Sequence, residues 1–232
     1  NGPTKYKQNQ DFAFEKKVTE VFQTFFPQKV KIFVNYSLDG VAENDLLVII
    51  GNTCIIVEIK DCKFREPFRD PLKAYDRIKR DYQNAIQLGY DQCRRVEKVL
   101  LDDKDVDILD ADDKKKVLFH LKNENIGEIW SIVVTDFKYG TLQTNLGNLL
   151  EKDEDALYPW SVCIDDLEAF FLLMKKILKG IAPSRFLEFL DYRERLQEHI
   201  VCGDELEICG WYLNDREQFK EYADKDIVIS TN

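Results

Sequence analysis

The sequence predicts an α/β domain whose central sheet is covered by helices on both sides. Three observations carry that expectation. Residues 11–26 place Phe14, Val18, Val21, Phe22 and Phe25 at helical spacing. Two β-branched apolar runs, 45–50 and 53–60, flank a Gly51-Asn52 dipeptide, the composition of a two-residue hairpin turn. From Pro71 to Leu101 a helical stripe runs through Tyr75, Ile78, Tyr82, Ala85, Ile86, Gly89, Cys93, Val96 and Leu100.

In chain order, Pro27 ends the first helix and Lys31–Tyr36 reads as a short strand. Both faces of the hairpin strands are apolar, so the sheet they join is buried on both sides. The 71–101 stretch is either one helix or two. Asp102, Asp103, Asp105, Asp107, Asp110, Asp112 and Asp113 then read as an acidic loop. Strands follow at Val117–Leu121 and Ile129–Thr135, then a polar, irregular region over 137–157. Trp160–Ile164 reads as a last strand, with Asp165-Asp166 capping a helix around 167–179. Gly180 and Pro183 mark a boundary, followed by a helix to about residue 198. The rest carries no pattern that assigns it. The division expected is 1–165 for the α/β domain and 166–232 for a mainly helical C-terminal extension.

Composition narrows the classes. The 232 residues are 44% hydrophobic and 12% aromatic, the make-up of a packed globular protein. Nothing approaches the roughly 18 apolar residues of a membrane span, and no signal peptide is visible. Asn1 rather than Met opens the sequence, as in a piece of something longer. The six cysteines form no Cys-x-x-Cys pair and the two histidines are far apart, which argues against zinc and against Ser-His-Asp or Cys-His catalysis. Buried, reduced thiols in a cytoplasmic protein are expected. Walker A, Gly-x-Gly-x-x-Gly and Gly-x-Ser-x-Gly motifs are absent. Net charge is −10, yet residues 60–98 hold eleven basic against seven acidic side chains. That excess is either a solvated face or a phosphate-contacting one.

The hairpin gathers charge. A two-residue turn at Gly51-Asn52 fixes the register, so Ile50 faces Thr53, Val48 faces Ile55, and Asp45 lands opposite Glu58. Glu58 and Lys60 share a face of the pleat, and Glu43 falls opposite Lys60. Two ionised carboxylates about 5 Å apart repel by roughly 3 kcal/mol at an effective dielectric of about 20. Lys60 offsets part of this, and a divalent cation would offset more, hard oxygen ligands suiting Mg²⁺ or Mn²⁺. A purely structural salt-bridge cluster is the competing reading.

The order helix, three strands, helix, strand, with Glu43-Asn44-Asp45 opening the second strand and Glu58-Ile59-Lys60 closing the third, resembles the PD-(D/E)XK (restriction-endonuclease-like) nuclease superfamily. Glu15 on the first helix and Gln92-Cys93-Arg94-Arg95 on the later one bring it close to bacterial nuclease-related domains. The resemblance spans roughly residues 11–135, and Asn44 replaces the name-giving proline. It implies an αβββαβ core with a mixed central sheet flanked by helices. It further implies that Asp45, Glu58 and the carbonyl of Ile59 ligate Mg²⁺ or Mn²⁺. Lys60 would orient or deprotonate the attacking water, Glu15 would serve a second metal or a bridging water, and Gln92 would position water or substrate.

The expected function is therefore a metal-dependent endonuclease acting on DNA rather than RNA, as the effector of an antiviral defence, restriction or repair system. The C-terminal region would serve a homodimer or larger complex. A catalytically silent nuclease-fold module that binds nucleic acid or protein is the alternative, and an RNA-directed enzyme of the same fold is a third reading.

Overall fold

The computed structural model describes residues 5–38, 42–62, 65, 69–225 and 229–230. Lys63 and Glu66, counted in the basic stretch, lie outside them. Helix α1 (Lys5–Phe25) is followed by strands β1 (Lys31–Leu38), β2 (Asn44–Ile50) and β3 (Thr53–Lys60). Helix α2 (Pro71–Tyr82), a π-helical segment (Gln83–Gln87) and α3 (Leu88–Leu100) come next, then β4 (Val106–Asp110), β5 (Val117–Leu121) and β6 (Glu128–Thr135). The remainder holds α4 (Thr141–Thr144), β7 (Trp160–Cys163), α5 (Ile164–Leu178), α6 (Ala182–Arg195), β8 (Ile200–Val201), α7 (Glu205–Asn214), α8 (Arg216–Ala223) and β9 (Ile229–Ser230). Seven strands form one sheet in the order β5-β4-β1-β2-β3-β6-β7. The chain divides into two compact units, Asn1–Ile59 with Gly89–Val134, and Lys60–Leu88 with Thr135–Asn232.

In the first unit the hairpin has the expected register. Ile50 pairs with Thr53, Val48 with Ile55 and Leu46 with Val57. Gly51 takes φ 62°, the left-handed first position that a type II′ turn requires and that glycine adopts without strain. The Asn52 carbonyl accepts from the Gly127 and Glu128 amides at 2.7 and 3.3 Å, which ties the start of β6 beside the start of β3. At the other end, in the second unit, the Asp136 amide donates to the Lys60 carbonyl at 3.4 Å. β6 therefore runs parallel to β3, whereas β1, β2 and β3 are mutually antiparallel. The sheet is mixed, as expected, and all eight residues of β3 are buried.

Register sorts the side chains by face. Leu47, Ile49, Cys54 and Ile56 share one buried cluster with Cys93, Val96 and Leu100 of α3. Each such aliphatic side chain contributes about 1.5–3 kcal/mol by leaving water. Glu58 and Lys60 continue the parity of Cys54 and Ile56, so the pleat puts them on this same face. On β1 the parity changes at Asn35, whose φ of 48° is left-handed. Phe33 packs on the α3 cluster before it, and Tyr36 and Leu38 belong to that cluster after it.

One segment differs from expectation. Residues 106–110 are strand β4 and not part of an acidic loop. Val106 and Ile108 point inward at 1% and 0% exposure, while Asp107 meets His120 of β5 at 2.5 Å. The Asp110 carboxylate accepts from the Asp112 and Asp113 amides and from Lys116 Nζ at 2.8–3.2 Å. The acids are thus spent on turn geometry and cross-strand pairs, and period-two burial decides the conformation.

In the second unit Asp70 caps α2, accepting from the Leu72 and Lys73 amides at 3.1 and 3.2 Å with Pro71 at the first helical position. The 71–101 stretch is neither one regular helix nor two separated ones, since a π-helical segment joins its halves. Asp165 and Asp166 occupy the first turn of α5 and do not precede it. The C-terminal residues that carried no pattern form α7 and α8, each opened by an aspartate cap, Asp204 and Asp215. Trp160, Phe170, Phe186, Phe189, Tyr212 and Phe219 make their shared core, with neighbouring ring centroids 4.7–6.5 Å apart. Inside it Arg193 donates to both oxygens of Glu205 at 2.7 and 2.9 Å, and Trp160 Nε1 donates to Glu205 at 2.7 Å.

Candidate active site

The β2–β3 end is where strand pairing gives way to side-chain chemistry. Backbone pairing stops at Leu46–Val57. One step further, Asp45 Oδ2 accepts the Ile59 amide at 2.6 Å. That charge-assisted bond takes the place of the next ladder contact and anchors the carboxylate at the end of β3.

Glu15, Glu20, Glu43, Asp45 and Asp112 line a cavity of about 560 Å³ with Ile59 and a single ammonium, Lys16. Five carboxylates against one cation make a strongly electronegative hollow, which attracts cations and repels phosphate until a cation is present. Glu15, Asp45 and Ile59 of the expected set thus share one cavity. Glu58, which is 0% exposed, and Lys60, the last residue of β3, buried at 8%, are not among the residues lining it. Gln92, half-buried on α3, carries an enclosed Oε1 with no hydrogen-bond partner among the described residues.

Sequence reasoning passed over Tyr36. Its hydroxyl is wholly buried, has no hydrogen-bond partner among the described residues, and is held protonated to well above the usual tyrosine range. Burial is the main cause, followed by the negative charges of Glu58, Cys93 and Asp45. One phenol therefore feels the charge of both carboxylates of the expected pair. The change of parity at Asn35 turns Tyr36 to this face, and nothing in a one-dimensional pattern announces it.

The available donor set is oxygen: two carboxylates from adjacent strands and the backbone carbonyl of Ile59. The Ile59 amide donates to Asp45 Oδ2 at 2.6 Å, and carboxylate and carbonyl oxygens are the ligand type that hard cations such as Mg²⁺ or Mn²⁺ prefer. Among the described residues no three His, Cys, Asp or Glu side chains come together as a group that could hold a metal ion, so a site here would rest on two carboxylates and a backbone carbonyl. All six thiols are unpaired by disulfides, and burial pushes those of Cys54 and Cys163 up to about 11. No described helix is long and apolar enough to cross a membrane.

The family model described as nuclease-related domain matches residues 10–135. Among solved structures, the small subunit (R.BspD6I2) of the heterodimeric restriction endonuclease R.BspD6I is similar at 14% identity and a TM-score of 0.40, covering 92% of this chain and 90% of that one. No curated protein matches the chain. The family match spans more than half of the sequence and contains Glu15, Asp45, Glu58, Lys60 and Gln92, so the chain belongs to the nuclease-related domain family of the PD-(D/E)XK-like superfamily.

Proposed function

We propose that the chain is a divalent-metal-dependent nuclease that hydrolyses phosphodiester bonds, with DNA as its substrate. The observation that carries this reading is the Asp45 carboxylate, held at the end of β3 by the Ile59 amide in an acid-lined cavity, with Glu58 buried on the adjoining strand. Membership in the nuclease-related domain family supports it.

Asp45, Glu58 and the Ile59 carbonyl would hold Mg²⁺ or Mn²⁺. When bound, such an ion supplies Lewis acidity at a phosphoryl oxygen and an acidified water. Lys60 orients the attacking water and places positive charge near the phosphoryl group, where charge builds in the transition state. The Tyr36 hydroxyl, buried and kept protonated, is a hydrogen-bond donor within the field of the same carboxylates. Glu15 serves a bridging water at the cavity wall, and Gln92 positions water or substrate. The acidic cavity keeps the site inactive toward phosphate until the cation neutralises it. A role in defence, restriction or repair, with the C-terminal helices contacting a second copy or another subunit, belongs to the same proposal.

The test is incubation of the purified chain with supercoiled plasmid, linear duplex, single strands and RNA in Mg²⁺, Mn²⁺ or EDTA. Cleavage of DNA that requires metal and vanishes in Glu58→Ala/Lys60→Ala is the expected result. Cleavage that survives EDTA or the double substitution would place the chemistry elsewhere. A chain that cuts nothing in any metal would be a silent binding module.

A further inference from the structure

We infer that helix α2 carries a binding surface for the phosphate backbone of a polynucleotide, formed by Lys73, Arg77 and Arg80 together with Arg65. Lys73, Arg77 and Arg80 stand at i, i+4 and i+7, which places them on one stripe of the helix. With Arg65 and Asp76 they line a concavity of about 240 Å³. Lys73, Arg80 and Arg65 are exposed and Arg77 is half-buried.

The concavity is built rather than incidental. Asp81, 4% exposed, accepts from the Arg65 backbone amide at 3.0 Å and from Arg65 Nε at 2.9 Å. Burial pushes the Asp81 carboxyl up, but the hydrogen bonds and charge of Arg65 and, secondarily, the charge of Arg77 outweigh it and hold the group below the usual carboxylate range. One buried acid thus fixes Arg65, and Lys73 and Arg80 line the same concavity. Four cations against Asp76 and Asp81 leave a local balance of +2 on a chain whose total is −10. A positive island on an acidic protein has no general electrostatic reason to exist, since solubility is already served by the net negative charge. Polyanion contact gives it one. Guanidinium forks match phosphate oxygens bidentately and regularly spaced cations suit a regularly spaced backbone.

The inference rests on the nuclease reading only in naming the polyanion as nucleic acid, and its test separates the two. Binding of a fluorescein-labelled duplex is measured by anisotropy in EDTA, where no cleavage occurs, from 50 to 200 mM salt. The wild-type chain is expected to bind, with log Kd rising linearly with log salt. Lys73→Gln/Arg77→Gln/Arg80→Gln should weaken binding about tenfold or more and reduce that slope by roughly 2–3, because about 0.9 counterion is released per phosphate contact. Asp76→Asn removes the one acidic side chain among the described rim residues and should tighten binding. Inorganic phosphate at equal ionic strength should compete no better than chloride if the ligand is a polymer. No binding at 50 mM salt, a slope unchanged in the triple variant, or competition by phosphate beyond ionic strength would overturn the proposal. A chain that binds with the expected slope but never cuts would keep this surface and lose the nuclease reading.

Discussion

Asp45 and Ile59 are joined by a 2.6 Å hydrogen bond from backbone amide to carboxylate, one step beyond the last paired residues of the β2–β3 hairpin. The bond converts a strand end into a fixed anion. It closes the end of a hairpin whose turn, nearly the full strand length away, fixes the register: a one-residue slip would send Glu58 and Lys60 to the opposite face.

Gly51→Ala tests that dependence. No heavy atom would lie within 4 Å of the added Cβ, so crowding is not at issue, but φ at 62° remains left-handed. A non-glycine residue there costs about 1–2 kcal/mol, or roughly 2–8 °C in Tm for a chain of this size. Thermal unfolding reads the loss, and a Tm equal to wild type would mean that the turn does not constrain the register.

Tyr36→Phe separates function from stability. The buried hydroxyl finds no partner among the described residues, and an unsatisfied buried group costs about 1–3 kcal/mol. The variant should unfold at the same temperature as wild type or higher without metal, and cleave DNA at least several-fold more slowly with it. Lower stability together with unchanged cleavage would assign Tyr36 to packing alone.

For Lys60→Ala the expected result is a split. Cleavage should fall on the order of 10²–10³, the range for removing one group that stabilises developing charge. Thermal stabilisation by Mn²⁺ should persist, because the oxygen ligands remain. Loss of both together would make Lys60 part of the metal-holding structure. A pH–rate profile whose basic limb is the same in Lys60→Arg would argue against Lys60 as the base.

Acid unfolding of the second unit follows from Glu188. Hydrogen bonds from Arg216, followed by one from Tyr212, hold its carboxyl below the usual glutamate value, about 4.3. A depressed pKa means that the native state binds protons more weakly than the unfolded one. The stabilisation is therefore full at neutral pH, begins to be lost below about 4.3, and is gone once pH falls past the native value. Glu188→Gln should be less stable than wild type at pH 7, and the difference should shrink steadily as pH falls below about 4.3, measured by urea unfolding. A constant difference across that range would refute the linkage.

Much of this molecule could be read in its residues. Gly51-Asn52 between two apolar runs dictated the hairpin and its register, because glycine alone supplies the turn conformation without strain. What escaped was of three physical kinds. Strand β4 hid because its aspartates looked like solvated charge, although Val106 and Ile108 already alternated. Helices α7 and α8 escaped although the caps Asp204 and Asp215 stood in the sequence, because their short apolar stripes bury mainly against distant aromatic rings. Tyr36 could not be read at all, since a left-handed Asn35 reverses the alternation that strand reasoning assumes. The carboxylates and Lys60 stood out for the opposite reason, being charges at the end of a strand with every residue buried.

The most direct measurement is a Mn²⁺ titration of metal-free protein followed by calorimetry, comparing wild type with Asp45→Asn and with Glu58→Gln. The account predicts binding to wild type with affinity reduced at least about tenfold in each single variant, since each removes one charged oxygen ligand from a shared ion. Equal Mn²⁺ affinity in all three proteins would contradict it.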